Sequence, residues 1–62
     1  MTPAQLKQIR KALGYSQTKM AEVMGYKGYL SIQMKEDGTT NITKQDTKFL
    51  KVLCLLHDIE LN

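Results

Sequence analysis

Capping residues and glycines at short intervals constrain this sequence most, because they divide it into short helices. Thr2, Ser16 and Thr43 are good amino-terminal caps, since a hydroxyl oxygen can accept a hydrogen bond from a backbone amide one turn on. Gly14 and Gly25 lie where helices would end, because glycine adopts the left-handed conformation of a helix terminus without steric cost. The pattern therefore predicts an all-α fold.

Helical spacing of apolar residues agrees with this division. Leu6, Ile9 and Leu13 fall on one face of the first segment, and Gln5 completes a capping box with Thr2. The sequence has no strand-like alternation and no repeats. The predicted helices occupy residues 3–13, residues between 16 and 25, residues from about 28 to 36, and a segment that begins after Thr43.

The length of the chain limits its chemistry. Its 62 residues are expected to form one domain, residues 1–62, and such a domain buries only about 60% of the surface of its unfolded chain. Little material is left for a catalytic cavity. Cys54 is the single cysteine, which excludes an internal disulfide or a multi-thiolate metal site. We expect no enzyme activity, no metal and no cofactor.

Targeting and membrane signals are not apparent. No apolar run approaches the roughly 18 residues that a membrane-spanning helix needs, and the amino terminus lacks the basic and apolar pattern of a signal peptide. We therefore expect a cytoplasmic protein without a membrane partner.

Positive charge is concentrated in the first part of the chain. Residues 1–35 carry six lysine or arginine residues and one glutamate, a net charge of +5, whereas residues 36–62 carry three lysines and five acidic residues, a net charge of −2. A basic half favours a polyanionic partner, and nucleic acid is the commonest one. Ordinary solubilising charge explains the same numbers equally well.

The segment from Ser16 to about Gly38 has the pattern of two short helices joined by a tight turn. Ala21 supplies a small residue where the two backbones would approach, and Gly25 supplies the turn. Met20, Met24 and Tyr26 are expected to face the core.

Residues 9–26, Ile-Arg-Lys-Ala-Leu-Gly-Tyr-Ser-Gln-Thr-Lys-Met-Ala-Glu-Val-Met-Gly-Tyr, resemble the lambda-repressor-like helix-turn-helix family, which includes Cro-type and XRE-type regulators. Met20 and Met24 stand for the family's usual leucines. The resemblance implies a compact domain of four to five helices, with the helix-turn-helix motif at about 16–36. It also implies that Arg10 is structural and pairs with Glu36. The small size is similar to that of phage or mobile-element autorepressors, such as the anti-CRISPR-associated regulators.

The third helix fits the family in either of two registers. With one residue inserted in the turn, Ile32 occupies the first apolar position and Lys35 occupies the second. Without the insertion, Met34 fits the second position but Ser31 takes the first. The two registers differ by one residue in the face that would meet DNA.

Families of this kind place the second helix of the motif in the major groove of duplex DNA. The resemblance implies that Gln33 reads bases, since a glutamine amide can pair with adenine, and that Lys27 and Lys35 contact phosphate. The alternatives are that Gln33 is an ordinary solvated residue and that Tyr29 packs inward. The full set of predicted DNA-binding residues is Gln17, Lys19, Lys27, Gly28, Tyr29, Ser31, Gln33 and Lys35.

The last predicted helix carries two apolar stripes. One comprises Phe49, Leu50, Leu53 and Leu56, and the other comprises Val52, Leu55 and Ile59. One helix of so small a domain rarely finds neighbours for both, so a second copy of the chain is expected to cover the second stripe. The alternative is that the chain's own amino-terminal helix covers it.

Two functions follow as expectations. The first is a sequence-specific transcriptional regulator, a repressor that binds an inverted-repeat operator as a homodimer, with its two reading helices about 34 Å apart. The alternative is an antitoxin or another protein-binding module that uses the second apolar stripe of the last helix.

Overall fold

The structure is a computed structural model that describes residues 1–61, and within them it is all-helical, without strands. This confirms the prediction of an all-α fold. The four helices are α1 (Pro3–Leu13), α2 (Gln17–Met24), α3 (Tyr29–Asp37) and α4 (Lys44–His57).

The predicted caps form three of the helix starts. Thr2 and Gln5 make a reciprocal capping box at α1, and Thr43 and Asp46 make another at α4. The Ser16 hydroxyl accepts a hydrogen bond from the Lys19 amide at the start of α2. Local side-chain chemistry therefore fixes where α1, α2 and α4 begin.

The core consists of apolar residues contributed by every helix. α3 packs on both α2 and α1, and α4 contacts α1. This arrangement holds α3 from two sides and leaves its remaining side open. The buried apolar residues are Leu6 and Ile9 of α1, Met20 and Ala21 of α2, Ile32 of α3, and Leu50 and Leu53 of α4.

The carboxyl-terminal residues fold back on the domain. α4 ends at Asp58, which takes a left-handed conformation with φ 53°. Ile59 and Leu61 then pack against the core as half-buried residues, and the Gln8 side chain donates to the Glu60 carbonyl at 3.4 Å. Ile59 lies beyond the end of α4, but it lines an apolar groove together with Leu55, so its place in a dimer interface stays a prediction.

The exposed side of α4 also differs from the predicted stripes. Leu50 and Leu53 are buried as predicted, but Leu56 is 73% exposed and Phe49 is 37% exposed. Phe49 and Leu56 therefore share the exposed side of α4 with Val52 and Leu55 and are not part of the core. Among residues 1–61 no helix is long and apolar enough to cross a membrane.

Candidate nucleic-acid interface

The turn between α2 and α3 places an exposed lysine at the start of α3. α2 ends at Gly25, whose φ is 84°, and the Tyr26 amide donates to the Ala21 carbonyl at 2.8 Å. Lys27 is exposed, and Gly28 then forms the start of α3. Of the four helices in residues 1–61, α3 is the one whose start has no side-chain cap. The Ser31 amide donates to the Gly28 carbonyl at 3.3 Å, and helix geometry leaves the Tyr29 and Leu30 amides without a partner inside the helix.

Three exposed residues in the amino-terminal part of α3 form what we call the outer face: Tyr29, Leu30 and Gln33. Asp37, at the other end of the helix, is also exposed. Tyr29 is 52% exposed and Leu30 is 55% exposed, and Gln33 is also exposed. The alternative that Tyr29 packs inward is therefore wrong. Gln33 follows Leu30 by three residues and Tyr29 by four, so the three side chains are neighbours on the helix surface.

The opposite side of α3, the inner face, settles the register. Ile32 is fully buried and Lys35 is 6% exposed, whereas Ser31 and Met34 are only partly buried. This burial pattern is the one expected of the register with one residue inserted in the turn. It directs Gln33 outward and Lys35 inward.

The prediction that Lys35 contacts phosphate is wrong, because its ammonium group is buried in the domain. The Lys35 Nζ lies 2.9 Å from an Asp46 carboxylate oxygen and donates to the Asn41 carbonyl at 2.8 Å. It also lies 5.2 Å from the centroid of the Tyr26 ring. A buried ammonium group needs such partners, and they tie α3 to the start of α4.

The Asp46 carboxylate holds this cluster together. It accepts hydrogen bonds from the Tyr26 hydroxyl at 2.5 Å and from the Thr43 amide at 3.0 Å. Burial by itself would raise the pKa of Asp46, but these bonds and the one from Lys35 lower it overall. Burial by itself would lower the pKa of Lys35, but the hydrogen bond and charge of Asp46 raise it. Both side chains therefore stay charged near neutral pH.

A second ion pair holds α3 to α1. The Arg10 Nε donates to Glu36 at 2.6 Å and its Nη2 donates to the other carboxylate oxygen at 3.2 Å, while its Nη1 donates to the Tyr15 carbonyl at 2.9 Å. The predicted structural role of Arg10 is confirmed. The Gln17 side chain also donates to Glu36, at 3.3 Å, so one of its amide hydrogens is used inside the domain.

The remaining predicted residues lie around the outer face or on α2. Lys19 is exposed on the first turn of α2, with its Nζ 5.9 Å from the Tyr15 ring centroid. Gly28 and Ser31 are half-buried. Their contacts with DNA stay predictions.

Exposed positive charge in the first part of the chain is smaller than the sequence indicates. Arg10 and Lys35 are engaged in the two ion pairs found among residues 1–61, and neither pair involves another lysine. The exposed lysines of this region are Lys7, Lys11, Lys19 and Lys27. With the exposed Glu22, they leave a net charge of +3 at the surface of residues 1–35.

Sequence reasoning missed Leu30 and the Tyr26–Asp46 contact. Leu30 was not assigned to the interface because apolar residues are ordinarily expected in the core. Its spacing from Gln33 was the available signal, since residues three apart share a helix face. Asp46 follows Thr43 by the three residues of a capping box, but no local pattern connects it to Tyr26 or Lys35.

A second exposed surface lies on α4. We call it the α4 apolar surface, and its four residues are Phe49, Val52, Leu55 and Leu56. Leu55 is 80% exposed and Val52 is 51% exposed. The chain's own amino-terminal helix does not cover them, which removes that alternative for these two residues.

No family model, curated protein or solved structure matches this chain.

Proposed function

We propose that this protein is a sequence-specific regulator of transcription that binds duplex DNA, with α2 and α3 acting as a helix-turn-helix. The observation that carries the proposal is the outer face of α3, where the exposed amide of Gln33 lies one turn beyond an uncapped helix start. In helix-turn-helix proteins, residues of the amino-terminal part of the second helix contact base edges in the major groove. Gln33 reads adenine by two hydrogen bonds.

The charges around α3 support this orientation. Lys27 is exposed immediately before the helix, and the start of α3, which no side chain caps, favours an anion. Lys19 lies on the first turn of α2, where the backbone amides can bond a phosphate oxygen. Lys19 and Lys27 thus supply affinity without sequence information.

The inner face supports the proposal by fixing α3 in place. Ion pairs to α1 and α4 hold consecutive residues, Lys35 and Glu36. A helix that reads bases must keep its side chains within a narrow range of positions. Two anchors directed to different helices restrict both the rotation and the tilt of α3.

The α4 apolar surface supports a homodimer that acts as a repressor on an inverted-repeat operator. Leu55 and Leu56 are the most exposed large apolar residues of the described chain, at 80% and 73%. Covering them with the same surface of a second copy gives a two-fold axis. The two outer faces would then occupy major grooves about 34 Å apart.

The same surface favours a second candidate function, an antitoxin or other module that binds a different protein through α4. Salt dependence separates the two functions. Binding to several phosphates weakens steeply as salt rises from about 50 to 200 mM, whereas apolar contact through Leu55 and Leu56 does not.

Selection of bound duplexes from a random pool tests the DNA-reading function. We expect the wild type to select a defined sequence and Gln33→Ala to lose preference at one base pair, for a cost of about 1–3 kcal/mol. Lys27→Ala is the matched control. It should weaken all sequences alike and reduce the salt slope by about one. A chain that binds no duplex at low ionic strength would disprove the proposal.

Sedimentation of Leu55→Glu tests the dimer. The substitution places a charge in the α4 apolar surface and should shift the protein toward monomer. Ala4→Glu, which adds the same charge at an exposed position of α1, should leave association unchanged. Equal association of all three proteins would contradict an α4-mediated dimer without affecting the assignment of Gln33.

A further inference from the structure

Two apolar side chains flank the single amide of the outer face. Tyr29 and Leu30 are each more than half exposed, and Gln33 lies one turn further along the same side. Single exposed apolar residues are common on protein surfaces. Here both are exposed on the first turn of a helix that buries a lysine.

α3 reverses the ordinary arrangement of an amphipathic helix. Most surface helices bury apolar residues and expose charged ones, but α3 buries Lys35 at 6% exposure and exposes Leu30 at 55%. The core makes no use of Leu30, whereas Lys35 and Glu36 are held inward by their ion pairs. Leu30 is therefore free to contact a partner.

Charge along α3 directs its amino-terminal end toward a polyanion. Lys27 and the uncapped amides lie at that end. Asp37 lies at the other end, where its carboxylate accepts hydrogen bonds from the Thr39 amide and hydroxyl. A phosphate backbone is therefore attracted to the amino-terminal end of α3 and repelled by its carboxyl-terminal end. Leu30 lies at the amino-terminal end.

We infer that Leu30 is a specificity-determining residue that contacts the 5-methyl group of a thymine beside the adenine read by Gln33. This inference rests on the proposed function. In the major groove, thymine alone of the four bases presents a methyl group, and apolar side chains recognise it by contact. A leucine side chain forms no hydrogen bonds, so it would leave the polar edge of any other base without a partner. The duplexes bound would therefore carry a thymine methyl next to the base pair read by Gln33.

Replacement of thymidine by deoxyuridine removes only that methyl group and tests the inference. Duplexes selected by the wild type from a random pool would be resynthesised with deoxyuridine at one thymine position at a time. We expect one position in each half-site at which the change weakens wild-type binding about fourfold. This is the change in affinity that corresponds to burial of one methyl-sized group. Leu30→Ala should bind the two duplexes equally.

Lys27→Ala is the matched control, because loss of a phosphate contact should weaken binding to both duplexes and keep the fourfold ratio. Circular dichroism of Leu30→Ala verifies that the variant is folded, as its exposure leads us to expect. If the wild type selects a defined site but no thymine position is sensitive, the inference is wrong and the DNA-reading function stands. If the sensitivity persists in Leu30→Ala, the assignment to Leu30 is wrong. If no duplex binds at low ionic strength, both proposals fail.

Discussion

The inner and outer faces of α3 differ in a way that reverses the usual expectation for a helix. The inner face combines buried Ile32 with two charged residues, Lys35 and Glu36, while the outer face presents Tyr29 and Leu30 to solvent. A charged side chain can therefore be buried where an opposite charge lies within reach, and an apolar side chain can stay exposed where the core has no place for it. Both charged residues have an opposite charge within hydrogen-bond distance in a neighbouring helix.

The two inner-face ion pairs are themselves unequal. Glu36 pairs with Arg10, which also bonds a backbone carbonyl, and the arginine side chain is 13% exposed. Lys35 and Asp46 are each 8% exposed in their side chains. Loss of the acidic partner is therefore expected to cost more in the second pair, because the Lys35 ammonium group that remains has less access to water than the Arg10 guanidinium group would have.

The largest expected effect is that of Asp46→Ala. It leaves the Lys35 ammonium buried with the Asn41 carbonyl as its remaining hydrogen-bond partner, and removal of one member of a buried pair costs about 3–5 kcal/mol. The whole stability of a domain this size is about 3–9 kcal/mol. We expect partial or complete unfolding at 25 °C, measured by urea denaturation followed by circular dichroism.

Lys35→Met provides the comparison within this pair. Asp46 would keep its hydrogen bonds from Tyr26 and Thr43, so the loss should be smaller than for Asp46→Ala. The double variant Lys35→Met with Asp46→Leu removes both charges and should recover much of the stability, since apolar replacements of buried pairs are often neutral. A double variant as unstable as Asp46→Ala would show that the Thr43 capping contact, not the charge, dominates.

Glu36→Ala should have the next largest effect. It removes the hydrogen bonds that Arg10 and Gln17 donate to the carboxylate, and bonds to charged groups contribute about 1.5–3 kcal/mol. Arg10 keeps the Tyr15 carbonyl. The same denaturation measurement applies, with Glu22→Ala at an exposed position as the control. A loss equal to that of Asp46→Ala would contradict the inequality of the two pairs.

The helix starts and the Arg10–Glu36 pair could be predicted from the sequence. Hydroxyl caps act within one turn, so Thr2, Ser16 and Thr43 specify their helices from neighbouring residues alone. The arginine–glutamate pair followed from the resemblance of residues 9–26 to a known family. The caps needed no knowledge of how distant segments pack, whereas for the Arg10–Glu36 pair the family resemblance supplied that knowledge.

The rest depended on tertiary contacts. A lysine is ordinarily assigned to the surface because its burial without a partner is costly, and nothing near Lys35 in sequence indicates Asp46 as that partner. The apolar run of α4 contains few polar residues to mark its outer side, so helical spacing alone placed Phe49 and Leu56 with the core. The sequence pattern did not predict where α4 ends either, because the helix ends at Asp58, which takes a left-handed conformation more typical of glycine or asparagine.

Acid should lower the stability of the domain through Asp46, the partner of Lys35 on the inner face. The lowered pKa of Asp46 means that below about pH 4, near the ordinary aspartate value, the unfolded chain binds a proton that the folded chain does not. Stability is therefore present above that pH and is lost as pH falls through the folded pKa. Asp46→Asn should reduce the slope of stability against pH in this range, as measured by urea denaturation at each pH.

Asp37 provides the control, because hydrogen bonds from Thr39 lower its pKa too. Asp37→Asn should change the acid slope less, since that carboxylate is exposed to solvent. At the alkaline end, the raised pKa values of Lys35 and Tyr26 predict stability that is lost as pH rises beyond about 10.5. An acid slope unchanged by Asp46→Asn would contradict the importance of this pair.

The smallest expected effect on stability is that of Leu30→Ala. Leu30 is 55% exposed, and surface substitutions away from special features change stability by about 0.5 kcal/mol or less. Alanine also has a slightly higher helix propensity than leucine, which partly offsets the lost apolar contact. Ile32→Ala, two residues away on the inner face, is the matched control and should cost about 2–5 kcal/mol. Comparable losses for the two variants in urea denaturation would mean that Leu30 supports the core, and the distinction between the two faces of α3 would then be wrong.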